Sequence, residues 1–280
     1  MSAPVVQAPT TASAPALAPA TVAGPVTQAR VVRAEWTKLR GLRSTWWCGL
    51  SAVVLIVGLG AAIAEGGAPY KVTAANTAAM GISDSLLGLL LAQLTLGVIG
   101  VLAFSGEYGT GMIRATLAVV PSRLPVLWAK LIVLAGLVLP VTLLCAVADF
   151  LAATALLSSR GGSVISLTDP GVLRTVLGAS LYLTVVAVIG LALGALLRKT
   201  AAGLSVFAAV FFVLPVVAGA LPPSITGFAP YLPSNAGGAL WGSPLNTTSA
   251  LSPWTGFAVL CGYAIVLTAA AAWQLHHRDA

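Results

Sequence analysis

Long apolar runs alternate with short polar breaks along most of this chain. The runs lie near 46–64, 85–105, 130–157, 175–197, 201–221 and 255–274. Each is about long enough for a helix to cross roughly 30 Å of hydrocarbon. The pattern therefore predicts six membrane-spanning helices. Only Arg198-Lys199-Thr200 divides the fourth run from the fifth. A single helix through both would far exceed the thickness of a bilayer, so a tight hairpin turn is required there.

Two segments outside the runs also carry a pattern. In "RVVRAEWTKLRGLRSTWW", Val32, Trp36, Leu39, Leu42 and Trp46 follow steps of 4, 3, 3 and 4, one stripe of a helix. Arg33 and Arg40 lie together to one side, with Arg30 further round. This predicts a basic amphipathic helix on an anionic membrane surface, with Arg33, Trp36, Lys38 and Arg40 as its contacts. A plain basic flank before the first span is the simpler alternative. Glu35 interrupts the stripe, and Lys38, three residues on, is placed to shield it. Between the fifth and sixth runs, residues 222–254 contain no Asp, Glu, Lys or Arg but hold prolines 222, 223, 230, 233, 244 and 253. Such an uncharged segment predicts short re-entrant or interfacial helices, which survive at membrane depth only when shielded by protein.

Composition agrees with this pattern. Of 280 residues, 58% are hydrophobic and only 8% charged, against about 25% charged in a soluble domain. The chain is read as an all-α polytopic membrane protein. Residues 1–29 hold no charge and five prolines, and they lack the basic stretch that opens a secretory signal. They are expected to form a disordered tail ahead of a single six-span domain over 30–280. The net charge of +7 would suggest nucleic acid in a soluble protein; here it marks the cytoplasmic loops of a membrane protein. With the N-terminus inside, Arg30, Arg33, Lys38, Arg40, Arg43, Arg114, Arg123, Lys130, Arg198, Lys199 and Arg278 make eleven inner cations, against three outer ones, Lys71, Arg160 and Arg174. Both termini are expected in the cytoplasm, and the chain in the plasma membrane. Cys48, Cys145 and Cys261 show neither paired nor metal-like spacing.

The main inner segment is "FSGEYGTGMIRATLAVVPSRLPVLWAKL", residues 104–131. Gly109 and Gly111 loosen the chain as it leaves the second span, and Thr110 is a candidate cap. Ile113, Leu117 and Val120 then share one helical face, with Arg114 away from it, and Pro121 stops the helix. The outcome is a short helix at the cytoplasmic surface. It either docks into another protein or packs on the membrane.

Within the spans, Asp149 and Gln93 are the candidate pathway residues. A charge at depth costs roughly 2.5–3.5 kcal/mol on insertion scales. If the third span runs long and bends at Pro140, Asp149 instead nears its outer end, within reach of Arg160. A membrane-embedded enzyme would need paired carboxylates, a Ser/His pair or a metal set inside the spans. Asp149 has no such partner, and the only histidines are His276 and His277. A proton-coupled secondary transporter would use Asp149, but the two halves of the chain show no convincing inverted repeat.

"GEYGTGMIRATLAVVPSR" followed by Lys130 resembles the cytoplasmic loop of ABC-2 type transporter permeases. "EWTKLRGLRSTWW" is similar to the N-terminal elbow of actinobacterial members, and "YLPSNAGGAL" to their segment before the last span. The resemblance covers about residues 30–278. It implies half of an exporter, in which two six-span units, identical or paralogous, form a pathway and each docks a separate ATP-hydrolysing subunit. The segment between spans two and three would then be the coupling helix. Ile113 and Leu117 would fill an apolar groove, Glu107 and Arg114 would set its orientation, and the turn at Pro121 and Arg123 would fix its exit. The chain contains no G-x-x-x-x-G-K-S/T phosphate loop, so ATP and magnesium are expected on the partner and no cofactor on this chain.

Overall fold

The structure is a computed structural model. It describes residues 27–66, 71–73, 77–113, 124–222, 224, 226–243 and 251–277. Eight helices organise them: α1 Gln28–Gly41, α2 Arg43–Gly66, α3 Ala78–Gly109, α4 Leu124–Ser159, α5 Val172–Leu197, α6 Thr200–Ala220, α7 Pro233–Trp241 and α8 Pro253–His277. All but α1 and α7 are long and apolar enough to cross a membrane, six in number. Among the described residues there is no strand.

The expected hairpin between the fourth and fifth spans is present. Arg198 takes a left-handed conformation at φ 54° and Lys199 is extended, which ends α5 and starts α6 within two residues.

The spans differ in length. At 1.5 Å per residue, α3 and α4, with 32 and 36 residues, extend about 48 and 54 Å. Both are longer than the hydrocarbon layer is thick. The end of α3 and the start of α4 meet α1.

α1 runs beside the first turns of α4, in the same direction. Gln28 Nε2 donates to the Pro125 carbonyl at 3.0 Å, Val31 packs with Val126 and Ala129, and Glu35 pairs with Lys130. The inward face of α1 is therefore Val31, Glu35 and Leu39. The predicted stripe through Leu42 and Trp46 is corrected: α1 ends at Gly41, and Leu42 is extended at φ −82° and ψ 120°. The chain has to leave the flank of α4 and enter the first span, so the helical register is broken there. Trp46 Nε1 donates across this break to the Arg40 carbonyl at 3.0 Å, satisfying a carbonyl that the helix end leaves open.

α5 is the most buried span and lies against α3, α4, α7 and α8. Its contact with α3 is backbone on backbone. A Cβ on Gly190 would lie 2.6 Å from the Gly97 carbonyl oxygen, one on Gly194 2.5 Å from that of Val101, and one on Gly100 2.2 Å from that of Ala187. Lipid tails are as apolar as leucine, so close packing between small residues replaces the hydrophobic drive to bring spans together.

The uncharged stretch before the last span forms a 3₁₀ turn at Ala229–Tyr231 and then α7. Leu240 and Trp241 are fully buried. Ser83 of α3 donates to the Trp241 carbonyl at 3.0 Å, and Gly237 lies against the Tyr182 ring of α5. α7 is thus held inside the bundle by α3, α5 and α8.

Candidate functional site

Four charged side chains converge where α1, the end of α3 and the start of α4 meet. Lys130 Nζ lies 2.7 Å from Glu35 Oε2 and 2.7 Å from Glu107 Oε1. Lys38 Nζ lies 2.7 Å from Glu35 Oε1 and 3.0 Å from Glu107 Oε1. The side chains of Glu35, Lys130 and Glu107 are 3%, 5% and 9% exposed, and only Lys38, at 29%, reaches solvent.

Local sequence explains each position. Glu35 sits four residues from Val31 and from Leu39, on the protein-facing stripe of α1. Glu107 falls in the last turn of α3 and Lys130 in the second turn of α4. Two acids and two bases cancel, which is the condition under which buried charge is tolerated. Burial opposes the charge on Lys38, but the hydrogen bonds to Glu35 and Glu107 outweigh it and hold its ammonium above the usual lysine value. The Lys130 ammonium also stands 5.9 Å over the Phe104 ring.

The cluster lies at the root of the segment singled out in the sequence. Glu107 is where the chain leaves α3 and Lys130 is just past its return, so their contact clips the two stems together. Beyond Glu107, the Thr110 hydroxyl donates back to the Gly106 carbonyl at 3.0 Å, and Gly111 takes φ 72°. Ile113 is buried. Arg114, Leu117, Pro121 and Arg123 lie outside the described residues.

A second contact tightens the same end. Ser105 and Thr200 share a hydrogen bond at 3.0 Å, and the Arg198 guanidinium sits 5.5 Å over the Tyr108 ring. The α5–α6 turn thus rests on the last turns of α3.

The other sequence-selected residues lie elsewhere. Arg33, Trp36 and Arg40 are exposed on α1, with Arg40 5.8 Å over the Trp36 ring. Gln93 is buried and accepts from the Tyr182 hydroxyl of α5. Asp149 is fully buried and accepts from the Ser85 hydroxyl at 2.8 Å. It packs on Gly60 of α2 so closely that a Cβ there would meet Oδ1 at 1.8 Å. The expected reach of Arg160 toward Asp149 is corrected: Arg160 Nη1 is 3.5 Å from the Ala64 carbonyl oxygen, and Ser85 on α3 is the partner Asp149 has. Both Gln93 and Asp149 therefore join spans within this chain.

Glu35 and Lys130 are the functional candidates whose role the sequence reading missed. One signal was present. With only seven acids in the chain, an acid inside an apolar helical stripe implies a buried cation opposite. The register that brings Lys130 to it is tertiary.

Comparison with curated proteins finds no match. Comparison with protein families matches residues 31–219 to the ABC-2 family transporter protein family, which takes in α1 through α6, the ion cluster included. With six apolar helices of spanning length and a match over more than half of its length, the chain belongs to the ABC-2 transporter family and is a multi-pass membrane permease of an ABC transporter.

Proposed function

We propose that this permease is the membrane subunit of an ATP-driven exporter, forming half of a translocation pathway with a second copy or a paralogue. It docks a separate ATPase through the segment between α3 and α4. The observation that carries this reading is the clip between Glu107 and Lys130, 2.7 Å apart and buried. A segment that passes force must not flex at its root. Here its two stems are tied to each other and, through Glu35 and Lys38, to α1.

Orientation follows from charge. The end of the bundle that carries α1 also holds Lys130, Arg198 and Lys199, and by the positive-inside bias it faces the cytoplasm, where ATP is available. Glu107 spends its charge within the chain, so Arg114 is left to make the charged contact with the ATPase. Ile113 and Leu117 provide the apolar one, each contributing roughly 1.5–3 kcal/mol when buried.

The test is co-purification with the ATPase, followed by hydrolysis and transport in proteoliposomes. Leu117→Asp should leave the bundle folded and inserted but strip the ATPase, or abolish the response of hydrolysis to cargo. The pair Lys130→Met with Glu107→Gln keeps the cluster neutral, so it should fold, bind the ATPase and lose coupling. Full association and transport in both Leu117→Asp and Arg114→Glu would end this reading.

A further inference from the structure

A cavity of about 610 Å³ opens on the flank of the bundle between α1, α2, α3 and α4. Its size lies within the roughly 300–1,000 Å³ typical of ligand pockets. The two ends of the cavity differ in chemistry. Arg40 and the indoles of Trp36 and Trp46 line it on the side of α1 and the start of α2; further along α2, α3 and α4 the walls are aliphatic, with Leu50, Leu96 and Val141 among them. Trp36, Trp46 and Leu50 are all exposed.

The charge at the α1 end is of one sign. Glu35 is the only acid on α1, and it is turned inward and neutralised by Lys38 and Lys130. The outward face of α1 and the start of α2 thus present Arg33, Arg40 and Arg43, all exposed, with no acidic side chain among them. The Arg40 guanidinium is held over the Trp36 ring, and its carbonyl is held by Trp46, so the cation is positioned at that end. Depth is ordered as well. Arg40 precedes the first span, whereas Leu50 is two turns into it, so the groove descends from headgroup level along the helices.

From this we infer that the groove is a binding site for one anionic phospholipid, with its phosphate at Arg40 and an acyl chain laid along α2, α3 and α4. A cationic end joined to an apolar slot fits that molecule. A zwitterionic lipid lacks the net charge, and a soluble anion lacks the chain. Clusters of cations beside spans on the inner side are where anionic headgroups collect.

The experiment uses the full chain, purified in detergent and stripped of lipid. It is then titrated with phosphatidylglycerol or phosphatidylcholine carrying the same oleoyl chains, and adducts are counted by native mass spectrometry. The wild type should hold one phosphatidylglycerol per chain in clear preference to phosphatidylcholine. Arg40→Gln should cut that preference about fivefold, the usual worth of one cation near an anionic headgroup. Gly49→Leu should lower retention of both lipids, because Gly49 lines the groove and a side chain there meets nothing within 4 Å of its Cβ. Should that variant lose its fold, Leu50→Trp narrows the same slot. Equal retention of the two lipids by the wild type overturns the inference. So does unchanged retention in the groove-filling variants, and so does a change in oligomeric mass without a change in lipid, which would assign the groove to a second copy.

Discussion

Lys130 bears two acids at 2.7 Å from an almost fully buried position, which puts it at the centre of the ion cluster. Removing one partner from a buried ion network leaves uncompensated charge, at a cost of about 3–5 kcal/mol. Lys130→Met should therefore lower the melting temperature in detergent sharply. Adding Glu107→Gln to it should recover part of the loss, since neutrality returns, and the non-additivity should amount to about 0.5–3 kcal/mol. Purely additive effects would mean that the four charges do not act as one unit. The titration of Lys38 has a definite sign. Its folded pKa is raised, so its contribution is complete below the ordinary value of 10.5 and is lost only as pH climbs through the higher folded value. Melting temperatures of the wild type and of Lys38→Met should therefore keep a constant difference between about pH 7 and 9. A difference that closes within that window would show that Lys38 already loses its proton there.

Among the elements, α3 and α5 meet backbone to backbone. Gly190 and Gly194 face the carbonyls of Gly97 and Val101, atoms that no rotamer change can move aside. Overpacking a well-filled interface costs typically about 1–3 kcal/mol, and a backbone obstacle puts these sites at the upper end. Gly190→Leu should abolish monodisperse behaviour in size-exclusion chromatography. Gly262→Leu on α8, where nothing lies within 4 Å of the added Cβ, should leave it intact. Equal tolerance at both sites would refute this close approach. The G-x-x-x-G spacing at 190–194 is present in the chain but was not among the features from which the fold was predicted. Its partner was not legible, because periodicity marks a small face without saying which span it meets. α1 makes the complementary case: its helical character was readable, but its stripe was assigned to the membrane. Tertiary packing split it into an inner face of Val31, Glu35 and Leu39 and an outer one bearing Trp36.

For the whole molecule, the proposed orientation puts both ends of the chain in the cytoplasm, and it rests on eleven cations expected inside against three outside. In a background without cysteine, Val164→Cys lies on the exposed connection between α4 and α5 and should react in intact cells with an impermeant maleimide. Thr37→Cys on the exposed face of α1 should react only after the cells are opened. The reverse pattern would turn the molecule over and remove the ATPase docking segment from the cytoplasm.

The sequence by itself determined the class, the number of spans, the α5–α6 hairpin and the helix before the last span. These follow from the length of apolar runs, the position of charges and the cost of unpaired backbone in lipid, all of which are local or additive along the chain. Tertiary structure decided which buried polar groups meet. Asp149, for which a place near Arg160 was one alternative, instead joins α4 to α3 through Ser85; Glu107, expected to orient the segment after α3, finds its charged partners within the chain in Lys38 and Lys130. A side chain in an apolar interior takes whichever counter-charge or donor packing brings within about 3 Å. That choice depends on helix register and crossing, set by glycines such as Gly60 and Gly190, and no one-dimensional pattern contains it.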